Sequence, residues 1–167
     1  MLEIERKYII KKVGTDVLYS LSDYTVSEIL QIYLDSDAGV THRIRRRKYK
    51  DTTVYTETEK LRIDKMSAVE REREISESEF LSLSEKIKQG TRPINKRRHT
   101  FEYGGHIFEI DEYPEWKRTA ILETELEERE ETVDFPDFIE VLAEVTGDGS
   151  YSNAGMAREF PRELLYE

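Results

Sequence analysis

Apolar and polar residues alternate with a period of two along much of the chain, in stretches that recur at short intervals broken by turn residues. Side chains two apart in a strand point to the same side, so this spacing predicts a mainly β, antiparallel architecture. Eight strands are expected, near residues 2–10, 25–34, 40–48, 53–63, 69–76, 94–102, 106–113 and 119–128. Asp37-Ala38-Gly39 and Gly104-Gly105 are the clearest hairpin turns. Helical spacing is scarce. Ser76 with Glu79 reads as a capping box, Phe80, Leu83 and Ile87 share a face, and Gly90 stands where a C-cap glycine belongs, which predicts a helix covering the sheet from outside. A second helix is expected from about Pro136, carrying Phe138, Val141 and Leu142, and a short third one between Tyr151 and Phe160.

The parity of the charges changes this picture from an ordinary sheet to an unusual one. In the first strand Glu3, Glu5 and Lys7 share one face, while Leu2, Ile4, Tyr8 and Ile10 share the other. One such strand is the common case of a sheet with a wet side. The pattern returns, however, in Arg43, Arg45 and Arg47; Lys60 and Arg62; Glu70, Glu72 and Glu74; Lys96 and Arg98; Glu109 and Asp111; and Glu123, Glu125 and Glu127. If eight strands close into a barrel whose apolar outside is covered by helices, the charged parity faces inward, and such an interior must hold water, metal and ligand. Clustered carboxylates ask for a hard divalent cation, and clustered Arg and Lys ask for an anion with several oxygens. A metal–triphosphate complex meets both demands. Salt bridges kept for stability alone are a weaker explanation, because each ion taken from water costs several kcal/mol.

Composition adds limits. Charged residues make up 37% of 167 residues, and 36 acids against 26 bases give a formal net charge of −10, which argues against non-specific binding to nucleic acid or anionic membrane. The basic run from His42 to Lys50 is split by alternation between two faces, so it forms no continuous nucleic-acid patch. With no cysteine, a metal must be held by oxygen or imidazole, and His42, His99 and His106 lack metal-ligand spacing. No apolar run has the length of a membrane span. A single cytoplasmic domain over residues 1–167 is expected, with no internal repeat, and an apolar outer barrel face could support a homodimer. Trp116 is expected to pack at a barrel rim.

Glu3-Ile4-Glu5-Arg6-Lys7, followed by Gln31-Ile32-Tyr33-Leu34, Arg43-x-Arg45, Thr58-Glu59-Lys60, Glu72-x-Glu74, Lys96-x-Arg98, Asp111 and Glu123-x-Glu125, resembles the signature of the CYTH, or triphosphate tunnel metalloenzyme, superfamily. The resemblance spans nearly the whole chain. It implies a closed eight-stranded antiparallel tunnel with flanking helices, holding Mg²⁺ or Mn²⁺, two ions in the family pattern. By this resemblance Glu3, Glu5, Glu123 and Glu125 are metal ligands, with Glu72, Glu74 and Asp111 acting directly or through water. Arg43, Arg45, Lys60, Lys96 and Arg98 bind the triphosphate, and Lys7 and Tyr33 serve the attacking water.

Within the family the wording Gln-Ile-Tyr-Leu and Glu-Val-Thr-Gly-Asp (144–148) is similar to the bacterial tripolyphosphatase branch, which implies hydrolysis of inorganic tripolyphosphate to pyrophosphate and phosphate. Thiamine or nucleoside triphosphates, class IV adenylate cyclase chemistry and a non-catalytic polyphosphate-binding module remain alternatives. Two features depart from the pattern or blur it. Gly149, Ser150 and Ser152 stand where many members carry basic residues, with Arg158 as a substitute contact, and the Glu70/Glu72/Glu74 and Glu123/Glu125/Glu127 triplets leave the metal register open by one pair.

Overall fold

A computed structural model describes residues 1–166. The strands are β1 (Leu2–Lys11), β2 (Thr25–Leu34), β3 (Val40–Tyr49), β4 (Thr52–Arg62), β5 (Ser67–Ile75), β6 (Ile94–Tyr103), β7 (His106–Glu112), β8 (Thr119–Glu125) and β9 (Val141–Glu144). Three short helices accompany them: α1 (Thr15–Tyr19), α2 (Glu77–Ser84) and α3 (Asn153–Arg158). Strand order is β5-β4-β3-β2-β6-β7-β8-β1-β9, and a β5–β1 pairing closes the first eight strands into an antiparallel barrel. The eight expected strands are all present.

How β1 closes the barrel fixes where the barrel opens. One edge of β1 pairs with β8 from Glu5 to Lys11. The other edge pairs with β5 only from Leu2 to Ile4, and with β9 at Tyr8 to Ile10. Between these partners the wall divides, and Lys7 lies at the division: its carbonyl accepts from the Val145 amide at 2.8 Å, and its own amide donates to Thr146 Oγ1 at 3.0 Å. The ninth strand corrects the expected helix after Pro136. That segment makes a single turn, Ile139 N–H to Pro136 carbonyl at 3.0 Å, and then extends. The far half of the β1 edge would otherwise present unpaired backbone groups, and this demand outweighs the weak helical spacing of Phe138, Val141 and Leu142.

Helix α2 begins as expected, with Ser76 Oγ accepting from the Glu79 amide at 3.0 Å. It ends earlier than Gly90. Lys88 donates its amide to the Tyr33 carbonyl at 2.8 Å and Ile87 bridges to Leu34, so the chain is drawn to the end of β2, and Gly90 (φ +82°) serves a turn in the following loop. Phe80 of α2 covers the outward residues Ile32, Leu34, Ile44 and Ile75. On the opposite outer wall Tyr8, Ile10, Phe101, Phe108, Ile110 and Leu122 pack beneath α1 and the segment holding Phe135 and Phe138. The third helix falls within the expected tail. Met156 and Ala157 pack on Tyr33, Ile94, Ile121 and Trp116, of which Tyr33, Ile94 and Ile121 have inward parity, so α3 caps one end of the barrel and leaves the divided wall open. Among the described residues no helix is long and apolar enough to cross a membrane.

Candidate functional site

The inward face of the barrel encloses a cavity of about 540 Å³. Alternation aims side chains into it: Ile44 is fully buried under α2, which turns its neighbours Arg43 and Arg45 inward. β3, β4 and β6 bring in Arg43, Arg45, Lys60, Lys96 and Arg98, β2 brings Tyr33, and β1, β5, β7 and β8 bring Glu3, Glu5, Lys7, Glu70, Glu72, Glu109, Glu123 and Glu125. The cavity thus has a cationic side and an acidic side, which meet where Lys60 Nζ lies 3.3 Å from Glu70, 3.7 Å from Glu3 and 3.9 Å from Glu5.

The cations differ in how far their charge is already met. Arg98 donates to both oxygens of Asp111, each at 2.8 Å, and to Glu109 at 2.9 Å, and Lys96 Nζ lies 2.9 Å from the same Asp111. Burial opposes every one of these charges, yet Asp111 and Glu109 hold Arg98 firmly protonated, and Arg98 and Lys96 hold Asp111 well below the usual carboxylate range. Burial prevails at Lys96 and brings it down to about 7. Arg45 has no carboxylate among its hydrogen bonds. Its Nε donates to Gln31 Oε1 at 3.0 Å, and burial together with Arg43 and Arg98 pushes it down to about 9. Arg43 stays protonated because Tyr33 and Glu70 outweigh burial, but its Nε is buried without an acceptor among the described residues. Buried donors are normally satisfied, so an unpaired guanidinium nitrogen beside a cavity has a donor left that an anion could accept.

Lys7 Nζ lies 3.2 Å from Glu123 and donates to the Tyr151 carbonyl at 3.2 Å. Glu123 and Glu5 hold it protonated against the cost of burial. Burial likewise opposes ionisation of Glu123, but Lys7 and Arg98 bring it down to about 2. Burial also opposes ionisation of Glu70, but Lys60 and Arg43 hold it below its ordinary range, whereas at three other lining carboxylates burial prevails. It raises Glu3 to about 9 with the help of Glu5 and against Lys60, and it raises Glu109 and Glu125 above their ordinary range.

Of the residues singled out in the sequence, Glu3, Glu5, Lys7, Tyr33, Arg43, Arg45, Lys60, Glu72, Lys96, Arg98, Glu123 and Glu125 line this one cavity. Two lie outside its lining. Asp111 is buried behind Lys96 and Arg98, and Glu74 sits further along β5, where its register partner is Thr56. In the triplets the lining carries Glu70 with Glu72 and Glu123 with Glu125, while Glu127 lies past the end of β8. Tyr33 does not touch Lys7 by a hydrogen bond; its hydroxyl accepts from Gln31 Nε2 at 3.1 Å. Arg158 is exposed and outside the lining.

The rim is legible in the sequence only in part, through Arg62, Gly149 and Ser152. It is formed by Arg62, Asp64 and Lys65 and by two stretches, 145–149 and 152–154, with Gly147 packed close against the Lys65 side chain. Arg62 was visible through its parity with Lys60, but the small residues near Gly147 carry no charge pattern to read. The three histidines stand elsewhere. His99 bonds Tyr24 and Glu112 outside the cavity, His106 bonds Glu131, and His42 faces Glu57.

No family model and no curated protein matches the chain by sequence. Its fold matches solved structures. The inorganic triphosphatase NE1496 superposes with a TM-score of 0.62 at 24% identity, over 95% of this chain and 96% of that one. The PH1012 protein of Pyrococcus horikoshii OT3 gives a TM-score of 0.54 at 20% identity, over 76% and 79% of the two chains. HpAC1 of Hippeastrum, which has a dominant triphosphatase activity, gives 0.50 at 19% identity over 77% and 81%. At these identities the likeness establishes a shared fold.

Proposed function

We propose that the chain hydrolyses triphosphates with the help of divalent metal ions, inorganic tripolyphosphate first among them, giving pyrophosphate and phosphate. The observation that carries this reading is the division of one cavity into a cationic side with an unpaired Arg43 Nε and an acidic side whose carboxylates crowd one another. The shared fold with the triphosphatase NE1496 supports it.

The acidic side has the chemistry a hard cation requires. Glu3, Glu5, Glu123 and Glu125, with Glu70 or Glu72, supply only oxygen, and burial with Glu5 alongside raises the Glu3 carboxyl, a displacement that a bound cation would relieve. Among the described residues no three of them are already gathered closely enough to hold an ion, so side-chain rotation must accompany binding. When bound, Mg²⁺ or Mn²⁺ would neutralise phosphoryl oxygens and activate water.

The chain's own part is positioning and electrostatics. Arg43, Arg45 and Lys60 donate to the anion, and Arg98 retains two N–H groups beyond the three given to Asp111 and Glu109. Their charges are fixed before the phosphoryl group moves, so they stabilise developing negative charge without reorganising. Lys7, held as an ammonium, donates to the attacking water or the phosphoryl oxygen and does not take up its proton. Attack of water on a terminal phosphorus breaks one P–O–P bond and needs no covalent intermediate.

The test is phosphate release from tripolyphosphate, ATP and thiamine triphosphate, each with Mg²⁺, with Mn²⁺ and with chelator. Metal-dependent preference for tripolyphosphate is expected. Preference for an organic triphosphate would move the substrate assignment, and binding without turnover of any would leave a polyphosphate-binding module.

A further inference from the structure

Gln31 is polar, inward-facing and fully buried, yet it neither lines the cavity nor pairs with a charged carboxylate. Both ends of its side-chain amide are engaged. Oε1 accepts from both Nε and Nη2 of Arg45, and Nε2 donates to the Tyr33 hydroxyl at 3.1 Å. The amide can stand only this way round, because a guanidinium has donors and no acceptor.

Two consequences follow for the groups it holds. Arg45 has five N–H groups, and the two committed to Gln31 leave three that turn toward the cavity. The Tyr33 oxygen is occupied as an acceptor, so the hydroxyl hydrogen is free to be donated elsewhere, and Tyr33 lines the cavity. Gln31 also brings no charge of its own. Arg98, by contrast, spends its charge on Asp111 and Glu109. A carboxylate in place of Gln31 would keep Arg45 equally well anchored but would cancel the charge offered to an anion.

Resting on the triphosphate reading above, we infer that Gln31 is a positioning residue: a neutral clamp that aims Arg45 and the Tyr33 hydroxyl at the substrate while leaving the guanidinium charge unspent. The functional part of this role is its neutrality, which a purely structural glutamine would not need.

Q31E and Q31L separate the two roles. Q31L strands the Arg45 and Tyr33 groups and risks unfolding, whereas Q31E keeps an acceptor for Arg45 and should melt at or above the wild-type temperature. Binding of tripolyphosphate in the presence of chelator is measured by calorimetry, and KM and kcat for its hydrolysis are measured with Mg²⁺. Q31E is expected to weaken binding by at least about tenfold, the range of a hydrogen bond to a charged group. It should raise KM similarly, and lower kcat as well, since its carboxylate would draw the Tyr33 hydrogen away from the cavity. Binding by Q31E within twofold of wild type would overturn the inference. If wild type binds tripolyphosphate without hydrolysing it and Q31E still loses affinity, the clamp stands and hydrolysis falls; a wild-type chain that binds none overturns both.

Discussion

Lys7 and Glu123 are register partners on β1 and β8, and their charged groups lie 3.2 Å apart with only 12% and 13% of the side chains exposed. The pair joins the two sets of inward residues. Lys7 is also the residue at which the barrel wall divides, so the segment bearing Val145, Thr146 and Tyr151 grips it through backbone and ammonium together. Removing the ammonium leaves Glu123 buried beside Asp111 with one cation fewer. K7M is therefore expected to destabilise the fold by about 3 kcal/mol, as for a broken buried pair. It should also cost at least about a hundredfold in kcat, the lower range for a group acting on the reacting atoms. K7R should recover most of the stability and little of the turnover. Chemical denaturation and steady-state kinetics check this, and full activity in K7M would remove Lys7 from the reaction.

Arg43 and Glu5 stand on opposite sides of the cavity, so their loss should have different signatures. R43A removes the guanidinium whose Nε has no acceptor and should raise KM for tripolyphosphate about ten- to a hundredfold, with a smaller effect on kcat. E5Q should instead shift the metal concentration needed for half-maximal rate and lower the rate at saturation. Metal titrations of both variants at saturating substrate decide the matter. If the two variants lose affinity for metal and substrate alike, the separation into cationic and acidic roles is wrong.

The raised carboxyl of Glu3 predicts how stability depends on pH without metal. Burial and Glu5 lift it from 4.5 to about 9, so between these values the folded chain holds a proton that the unfolded chain has released. Stability then falls as pH rises through that window, because deprotonation favours the unfolded state. In chelator the melting temperature should be lower at pH 8.5 than at pH 6. Saturating Mg²⁺ or Mn²⁺ should offset most of the difference by supplying the missing positive charge. E3Q should flatten the metal-free profile. A decline that persists unchanged in E3Q would assign it to other groups.

Much of this was readable from alternation, and the exceptions share a cause. Each barrel strand runs at least seven residues, long enough for period-two spacing to show, and the charged parity of Glu3-Glu5-Lys7 or Arg43-Arg45 identifies the inward face before any pairing is known. β9 has four residues and no alternation; what makes Val141–Glu144 a strand is an unpaired edge on β1, far away in sequence, in the register pairs Tyr8↔Glu144 and Ile10↔Val141. Gln31 has the parity of Tyr33, but its role depends on the register that places it opposite Arg45. Asp111 shares the parity of the lining carboxylates and yet sits behind two cations, which strand direction alone does not reveal. The segment from Gly147 to Ala154 carries no alternation and no run of charge, and its hold on Lys7 is through the Tyr151 backbone carbonyl.

That segment supplies the most local prediction. Gly155 lies in the first turn of α3 where its backbone passes the 3-10 turn at Gly149–Tyr151, and a Cβ on it would clash with the Gly149 carbonyl oxygen. The obstacle is backbone, so it cannot be relieved by a side-chain rotation. G155A must displace either α3 or the turn, at a cost of about 1–3 kcal/mol typical of overpacking. The turn includes Tyr151, whose carbonyl holds Lys7, so the same displacement should loosen the ammonium and lower kcat while leaving the cationic side of the cavity, and hence substrate affinity, nearly intact. Gly149 itself has open space around its Cα, and G149A should change neither stability nor rate appreciably. The pair of variants, compared by melting temperature and by kcat and KM, tests whether the C-terminal segment is part of the site or only its neighbour: a destabilised G155A with wild-type kcat would make it a neighbour.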